Sequence, residues 1–318
     1  MDDAVPMPGD LLLARVDRLG QHERLQLPSG RTANLFPGDA IIVSFGHRYA
    51  PDQFEAEVPD DLAPCHLVAA GGIAARELCR HASMRQPTEI TPVGLLGDRE
   101  GRRANLADWA LGAPPASAAR PHTIAVVGTS MNAGKTTTVA NLIRGLVASG
   151  RTVGAAKVTG TAASGDTWLM LDAGASPVFD FTDAGFPTTY RATPAEVEGI
   201  FATLTGHLAA KGVDTVVLEI ADGLIQRETE ALLVSPCFSD GVDGVIFAAG
   251  DALAAVAGAA WLAQTGLPVL GLSGVLTGSP LAMREAELAT GLPVFTIDLL
   301  RDHEHANRLL QVPREVRV

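Results

Sequence analysis

The hydrophobic rhythm of the chain changes near residue 122. Over the first sixty residues, short apolar runs alternate with turns marked PSG and PGD: "DLLLARVDRL", "ERLQLPSG", "RTANLFPGD" and "AIIVSFGHRYAP". Runs of that length, spaced roughly ten residues apart, predict the strands of a small barrel or meander. "CHLVAAGGIAARELCRH" reads as a strand, a glycine turn and a helix, and "TEITPVGLLGD" as a further strand. "LGAPPASAARP", residues 111–121, is small, proline-rich and without a period, which predicts a linker. The expected division is a β-rich N-terminal domain with a mixed α/β tail over 1–110, the linker over 111–121, and a second domain over 122–318.

From residue 122 continuous apolar runs alternate with helical patterns. "HTIAVVG", "RTVGAAKVTG", "DTVVLEIADG", "GVDGVIFAAGD", "LPVLGLSGV" and "LPVFTID" read as buried strands. Between them "KTTTVANLIRGLVASG", "TPAEVEGIFATLTGHLAAKG", "ALAAVAGAAWLAQTG" and "SPLAMREAELATG" read as helices, the second capped by Thr193 with Pro194 in its first turn. Strands without polar alternation, each followed by a helix, predict an α/β fold with a mostly parallel sheet covered by helices. Ligands of such sheets sit at the carboxyl ends of the strands, so the residues just after each strand carry the chemical interest.

Composition narrows the class. The 318 residues are 47% hydrophobic but only 5% aromatic, which suits a globular core of Ala, Val, Leu and Ile. A net charge of −12 without a long basic run argues against an electrostatic grip on nucleic acid or an anionic membrane. Cys65, Cys79 and Cys237 are scattered and have no metal-site spacing, as expected of reduced thiols in a cytoplasmic protein. "MDDAVPMPGD" lacks the charged and apolar regions of a signal peptide, and no apolar run is long enough to predict a membrane span.

The chemistry concentrates in "IAVVGTSMNAGKTTTVANLI", residues 124–143. A strand ends at Gly128, and Lys135-Thr136 open a helix, which is the context a phosphate loop requires. The loop has five residues between Gly128 and Gly134, where the usual pattern has four. Backbone amides from Asn132 and Ala133 through Gly134 to Thr137 are expected to cradle phosphate oxygens, aided by the positive end of the helix. Gly134 admits close backbone approach, Lys135 would bridge the β- and γ-phosphates, and the Thr136 hydroxyl would hold Mg²⁺.

The stretch Gly128-Thr129, four further residues, then Gly134-Lys135-Thr136 resembles the loop of dethiobiotin synthetase and related amide-forming or carboxylating ATPases. It also resembles two-domain P-loop proteins of unassigned function with the same GT-x(4)-GK loop. The resemblance covers residues ~122–300. It implies that Lys157 in "AAKVTG" faces the γ-phosphate or the substrate, with Val158 where those proteins have proline. It further implies that Asp166 in "SGDTWLMLDAG" is a second Mg²⁺ ligand, Asp172 being the competing candidate, and that Glu219 in "TVVLEIADGL" is the carboxylate at the metal. The glycines that follow this glutamate in the family are replaced by Ile220, Ala221 and Asp222 before Gly223, which leaves the family's substrate pocket open to question. A homodimer is likewise implied only by the resemblance.

The constellation is coherent on chemistry alone. Mg²⁺ takes oxygen ligands, here Thr136, Asp166 and Glu219 with phosphate oxygens, and Lys135 and Lys157 would offset phosphate charge. The expected catalytic groups are therefore Lys135, Lys157 and Glu219. On the substrate side, "SPVFDFTDAGFPTTY", residues 176–190, offers Asp180 and Asp183 for an amine or hydroxyl, or simply holds a strand. "DGLIQRET" offers Asp222 and, for a carboxylate or phosphate, Arg227. The absence of N-K-x-D favours ATP over GTP. Together these readings predict a Mg-ATP-dependent phosphoryl transferase or ligase acting on a small molecule. The alternative is a nucleotide-dependent switch acting on a protein partner.

Overall fold

Polar–apolar alternation shapes the first part of the chain into antiparallel strands. The computed structural model describes residues 5–116 and 119–311. Residues 1–4 of the N-terminal stretch, Ser117 and Ala118 of the expected linker, and residues 312–318 lie outside them. The chain divides into two units. The first comprises Met1–Gly112, Gly160–Gly165 and Phe181–Arg191, and the second comprises Ala113–Thr159, Asp166–Asp180 and Ala192–Val318.

In the first unit the strands are β1 (Leu11–Arg18), β2 (Arg24–Gln26), β3 (Thr32–Asn34), β4 (Ala40–Phe45), β5 (Arg48–Tyr49), β6 (Phe54–Glu57), β7 (Cys65–Ala69), β8 (Ile73–Arg80) and β9 (Thr88–Leu95). Pairing runs β4–β1–β9–β7–β8, and a parallel pairing of Ser44 with Ile73 and Phe45 with Ala74 joins β8 back to β4. Five strands thus close into a small barrel, and closure removes the exposed edges that an open sheet of this length would carry. Inward positions Leu12, Val16, Val43, Phe45, Leu67 and Ile90 fill it. Residues 73–80, expected as a helix, are strand β8. Cross-strand hydrogen bonds to β7 and β6 on its two sides outweigh the helix propensity of its Ala and Leu.

The second unit alternates strand and helix: β10 (His122–Gly128), α1 (Lys135–Ala148), β11 (Val153–Lys157), α2 (Ser164–Ala173), β12 (Val178–Asp180), α3 (Pro194–Ala210), β13 (Thr215–Glu219), α4 (Arg227–Leu233), α5 (Pro236–Gly241), β14 (Gly244–Ala248), α6 (Ala252–Gln264), β15 (Val269–Ser273), α7 (Pro280–Thr290), α8 (Ile297–Arg301) and α9 (His303–Leu309). Ser164 and Gly165, the first two residues of α2, fall in the first unit by the division above. All six strands pair in parallel, in the order β12-β11-β13-β10-β14-β15. The side chains of β11, β13 and β14 are buried throughout, as a sheet covered on both faces demands. Ile124, Val126, Leu142, Ile143, Val217 and Ile246 form the centre of one core layer beneath α1. Thr193 and Glu196 form a reciprocal capping box at the start of α3.

Two expectations change here. "LPVFTID" does not form a full strand. Val294 makes a single bridge to Leu272, after which the Thr296 side chain caps α8. Helices α2 and α5 were not anticipated. Helix α2 buries only Met170 and Ala173 and leaves Trp168, Leu169 and Leu171 partly exposed, so no amphipathic period marks it.

Helix α1 lies so close to α8 that a Cβ on Gly145 would overlap the Leu300 carbonyl oxygen, whereas Gly199 on α3 has open space around it. Gly145→Ala is therefore expected to destabilise the protein by about 1–3 kcal/mol. Gly199→Ala should stabilise it by about 0.5–1 kcal/mol. Urea unfolding of the two variants checks both signs.

Candidate functional site

The parallel sheet brings the charged residues together by register alone. Lys157 and Glu219 are direct neighbours across β11 and β13, each the last residue of its strand. Strand β10 lies on the other side of β13 and ends at Gly128, where the loop begins. Thr129 starts the loop by donating its N–H to Ala248 O at 3.0 Å. Asn132 and Gly134 adopt left-handed backbone, with φ of 62° and 98°, and so curl the chain before α1. A Cβ on Gly134 would come within 2.9 Å of Gly274 Cα, and Val275 N donates to Ala133 O at 3.0 Å. The loop is thus pressed backbone to backbone against the segment that follows β15.

A cavity of about 390 Å³ opens above these strand ends. From the loop it is lined by Met131, Asn132, Gly134, Lys135, Thr136 and Thr137, and from the neighbouring strand ends by Lys157, Glu219, Ala221 and Asp222. Asp166 and Val275 complete it. Of the expected cradle, Gly128, Thr129 and Ala133 stand behind the lining: Gly128 leaves room for the Lys135 stem, whose Cγ would lie 2.8 Å from a Cβ there. Asp180 closes β12 in register with Lys157 but does not line the cavity, and neither does Arg227 at the exposed start of α4. Asp183 belongs to the first unit. Asp172 lines a separate cavity with Arg144 and Arg301.

Inside the cavity the charges are ordered. Lys135 is buried, and its Nζ donates to Ser130 O at 2.7 Å. Burial pulls its pKa below the usual lysine value, against the opposing attraction of Asp222 and Glu219. Lys157 Nζ donates to Asp166 and lies 4.0 Å from Glu219 Oε1. Burial disfavours its charge, but the attraction of Glu219 and Asp166 outweighs that and raises its pKa, so it stays an ammonium. Burial pushes the Glu219 carboxyl up, with Lys157 pulling the other way. Thr136 Oγ1 donates to Glu219 Oε1 at 3.0 Å, while the buried Oε2 has no hydrogen-bond partner among the described residues.

That lone oxygen beside a threonine hydroxyl fits Mg²⁺, which takes one or two protein oxygens and completes its shell with phosphate and water. No group of three or more His, Cys, Asp or Glu side chains among the described residues forms a metal cage. Thr136 and Glu219 would be the holders. Asp166, expected as a second ligand, lines the same cavity and pairs with Lys157. Asp222, offered for the substrate side, lines this cavity, and so does Val275, which was not singled out. The available signals were a second carboxylate three residues beyond the strand end at Glu219 and a glycine closing "LGLSG".

The six-stranded parallel sheet and its strand–loop–GKT–helix edge define a protein of the P-loop NTPase fold, with a β-rich unit besides. No protein-family model and no curated protein sequence matches the chain. Among solved structures it is similar to the signal recognition particle 54 kDa protein from Aeropyrum pernix K1 in complex with GDP, at 19% identity and a TM-score of 0.40, over 61% of this chain and 47% of that one. It is also similar to the signal recognition particle receptor FtsY from Elizabethkingia anophelis, at 15% identity and a TM-score of 0.37, over 64% and 70%. A DUF1611 family protein from Anabaena variabilis matches at 15% identity and a TM-score of 0.41, over 66% and 64%. The chain thus spans less than half of the 54 kDa protein and just under two thirds of the DUF1611 protein. These likenesses are too loose to bear on a reaction. No helix among the described residues is long and apolar enough to cross a membrane.

Removing Lys157 would leave Glu219 and Asp166 without their shared cation. Lys157→Met is expected to cost about 3 kcal/mol, and adding Glu219→Gln should recover part of that. Without that lysine, burial would hold the Glu219 carboxyl further above the ordinary glutamate value of 4.5. The stability that its protonated form contributes is present at low pH and lost as pH rises through the folded value. The Lys157→Met deficit should therefore be larger at pH 8 than at pH 5, as read by urea unfolding.

Proposed function

We propose that the protein is a Mg²⁺-dependent nucleoside-triphosphate-using phosphoryl-transfer enzyme. The observation that carries this reading is the convergence of Lys135, Thr136, Lys157 and Glu219 around one cavity at the carboxyl edge of the sheet. Lys135 exchanges its contact with Ser130 O for phosphate oxygens, and loop amides and the start of α1 supply further positive potential. Thr136 and Glu219 would hold the metal, which would supply neutralisation of phosphate charge. Lys157 remains cationic at neutral pH and faces the transferring group, with Asp166 and Glu219 keeping its ammonium in place.

The finer reading is transfer of the γ-phosphoryl group to a carboxylate or carbamate oxygen of a small molecule, followed by amide-type bond formation. It rests on the likeness of the GT-x(4)-GK loop to that of dethiobiotin synthetase. ATP was expected because N-K-x-D is absent, but nothing at the phosphate end of the cavity separates ATP from GTP. A homodimer, a cytoplasmic setting and the absence of nucleic-acid or membrane partners belong to the same proposal. A second reading has a specific support of its own. Asp166, which pairs with Lys157, sits on α2 beside the partly exposed Trp168, Leu169 and Leu171. A helix with one charged residue at the cavity and apolar residues outside suits a switch that reports nucleotide state to a protein partner.

Lys135→Ala is expected to abolish Mg-nucleotide binding, measured by calorimetric titration; unchanged affinity would remove the phosphate site. Glu219→Gln should slow turnover more than it weakens binding. Phosphate release measured across a panel of small amines and carboxylates separates the two readings. Stimulation by one of them supports the transferase, and a flat response that rises only with a protein partner supports the switch.

A further inference from the structure

A cavity of about 530 Å³ in the second unit is lined by three helices, α1, α2 and α8. Helix α1 contributes Ala140, Asn141 and Arg144, which share one helical face. Helix α2 contributes Leu169 and Asp172, and α8 contributes Arg301. The volume is that of a small-molecule site. Thr137 is the one lining residue it has in common with the phosphate cavity, and none of Lys135, Lys157 and Glu219 reaches it.

The positive wall of this cavity is built by packing. A Cβ on Gly145 would lie 2.1 Å from Leu300 O, so α8 rests directly on α1. That brings Arg301 to Asn141. Arg301 Nε donates to Asn141 Oδ1, and Asn141 Nδ2 donates to Thr137 O at 2.7 Å. Asn141 is buried, so it orients the guanidinium from beneath. Arg144 follows Asn141 on the same face of α1 and makes no hydrogen bond or ion pair among the described residues. Asp172, on α2, makes none either. Two guanidinium groups and a carboxylate thus line one cavity without pairing with one another.

We propose that this cavity binds a small amino acid as a zwitterion: its carboxylate on Arg144 and Arg301, its ammonium on Asp172, its side chain against Leu169 and Ala140. A guanidinium matches a carboxylate with two parallel N–H···O bonds. A carboxylate only accepts and an ammonium only donates, so Asp172 takes the positive end. A phosphate ester or a dicarboxylate would bring excess negative charge to Asp172, and a simple amine would face two guanidinium groups. Leu169 is 41% exposed, and covering it with an apolar side chain adds a hydrophobic contribution. The inference goes beyond the phosphate-site reading and needs no nucleotide. The two sites are nonetheless linked through α2, whose Asp166 pairs with Lys157 in the phosphate cavity. Asp172 follows it by about 9 Å of helix.

The test is calorimetric titration of the full chain with leucine, with isocaproate, which lacks the amino group, and with isoamylamine, which lacks the carboxylate. Leucine should bind about 10-fold more tightly than either relative. Asp172→Asn should abolish the preference for leucine over isocaproate, and Arg144→Gln should weaken both of these acids about 10-fold. Lys135→Ala, which alters the phosphate cavity alone, should leave leucine binding unchanged. Absence of saturable leucine binding, equal affinity for the three compounds, or loss of leucine in Lys135→Ala overturns the assignment. If a substituted chain does not fold, the three compounds on the unchanged chain decide. Failure of the phosphate-site reading looks different, since Lys135→Ala would then retain its nucleotide affinity.

Discussion

The edge of the second unit depends on one ammonium group. Lys157 ends a fully buried strand, and beside it Glu219 ends the next. Parallel register makes them neighbours, and burial makes either charge costly alone. Together with Asp166 they form a network in which the lysine stays charged and the glutamate retains one oxygen without a partner. That residual demand is what a divalent cation can meet. The compensating network and the oxygen proposed for the cation thus meet at Glu219.

Around this network the backbone is arranged for close approach. Gly134 and Gly274 meet without side chains, and Gly274 itself has a φ of +94° that favours glycine. The contact joins the phosphate loop to the end of β15, and Ser273 passes the connection on to Phe295. Two neighbouring cavities share Gly134, Thr137 and Val275 in their linings as a result.

Much of this was legible beforehand. Strand–loop–GKT–helix order placed Gly134, Lys135 and Thr136, because the loop's function is carried by local backbone and a helix start. Glu219 was legible because a charge directly after "TVVL" has to be answered by another group. Asp166 was less so. Its partner is nine residues away at the end of a different element, and sequence spacing cannot show that it pairs with that lysine. Residues 73–80 were misread because their Ala and Leu favour a helix locally, while the strands on either side decide otherwise.

The sequence by itself determined the two textures of the chain, an antiparallel β-rich part and a strand–helix alternation, since both follow from the period of buried positions. It also determined the phosphate loop, whose geometry is local. Only the tertiary structure decided which carboxylates face which lysines, that β8 rejoins β4 to close a barrel, and that Arg301 reaches Asn141 on α1. The reason is physical: these relations join residues far apart in sequence. They are set by strand order, register and the few places where glycine lets two backbones touch.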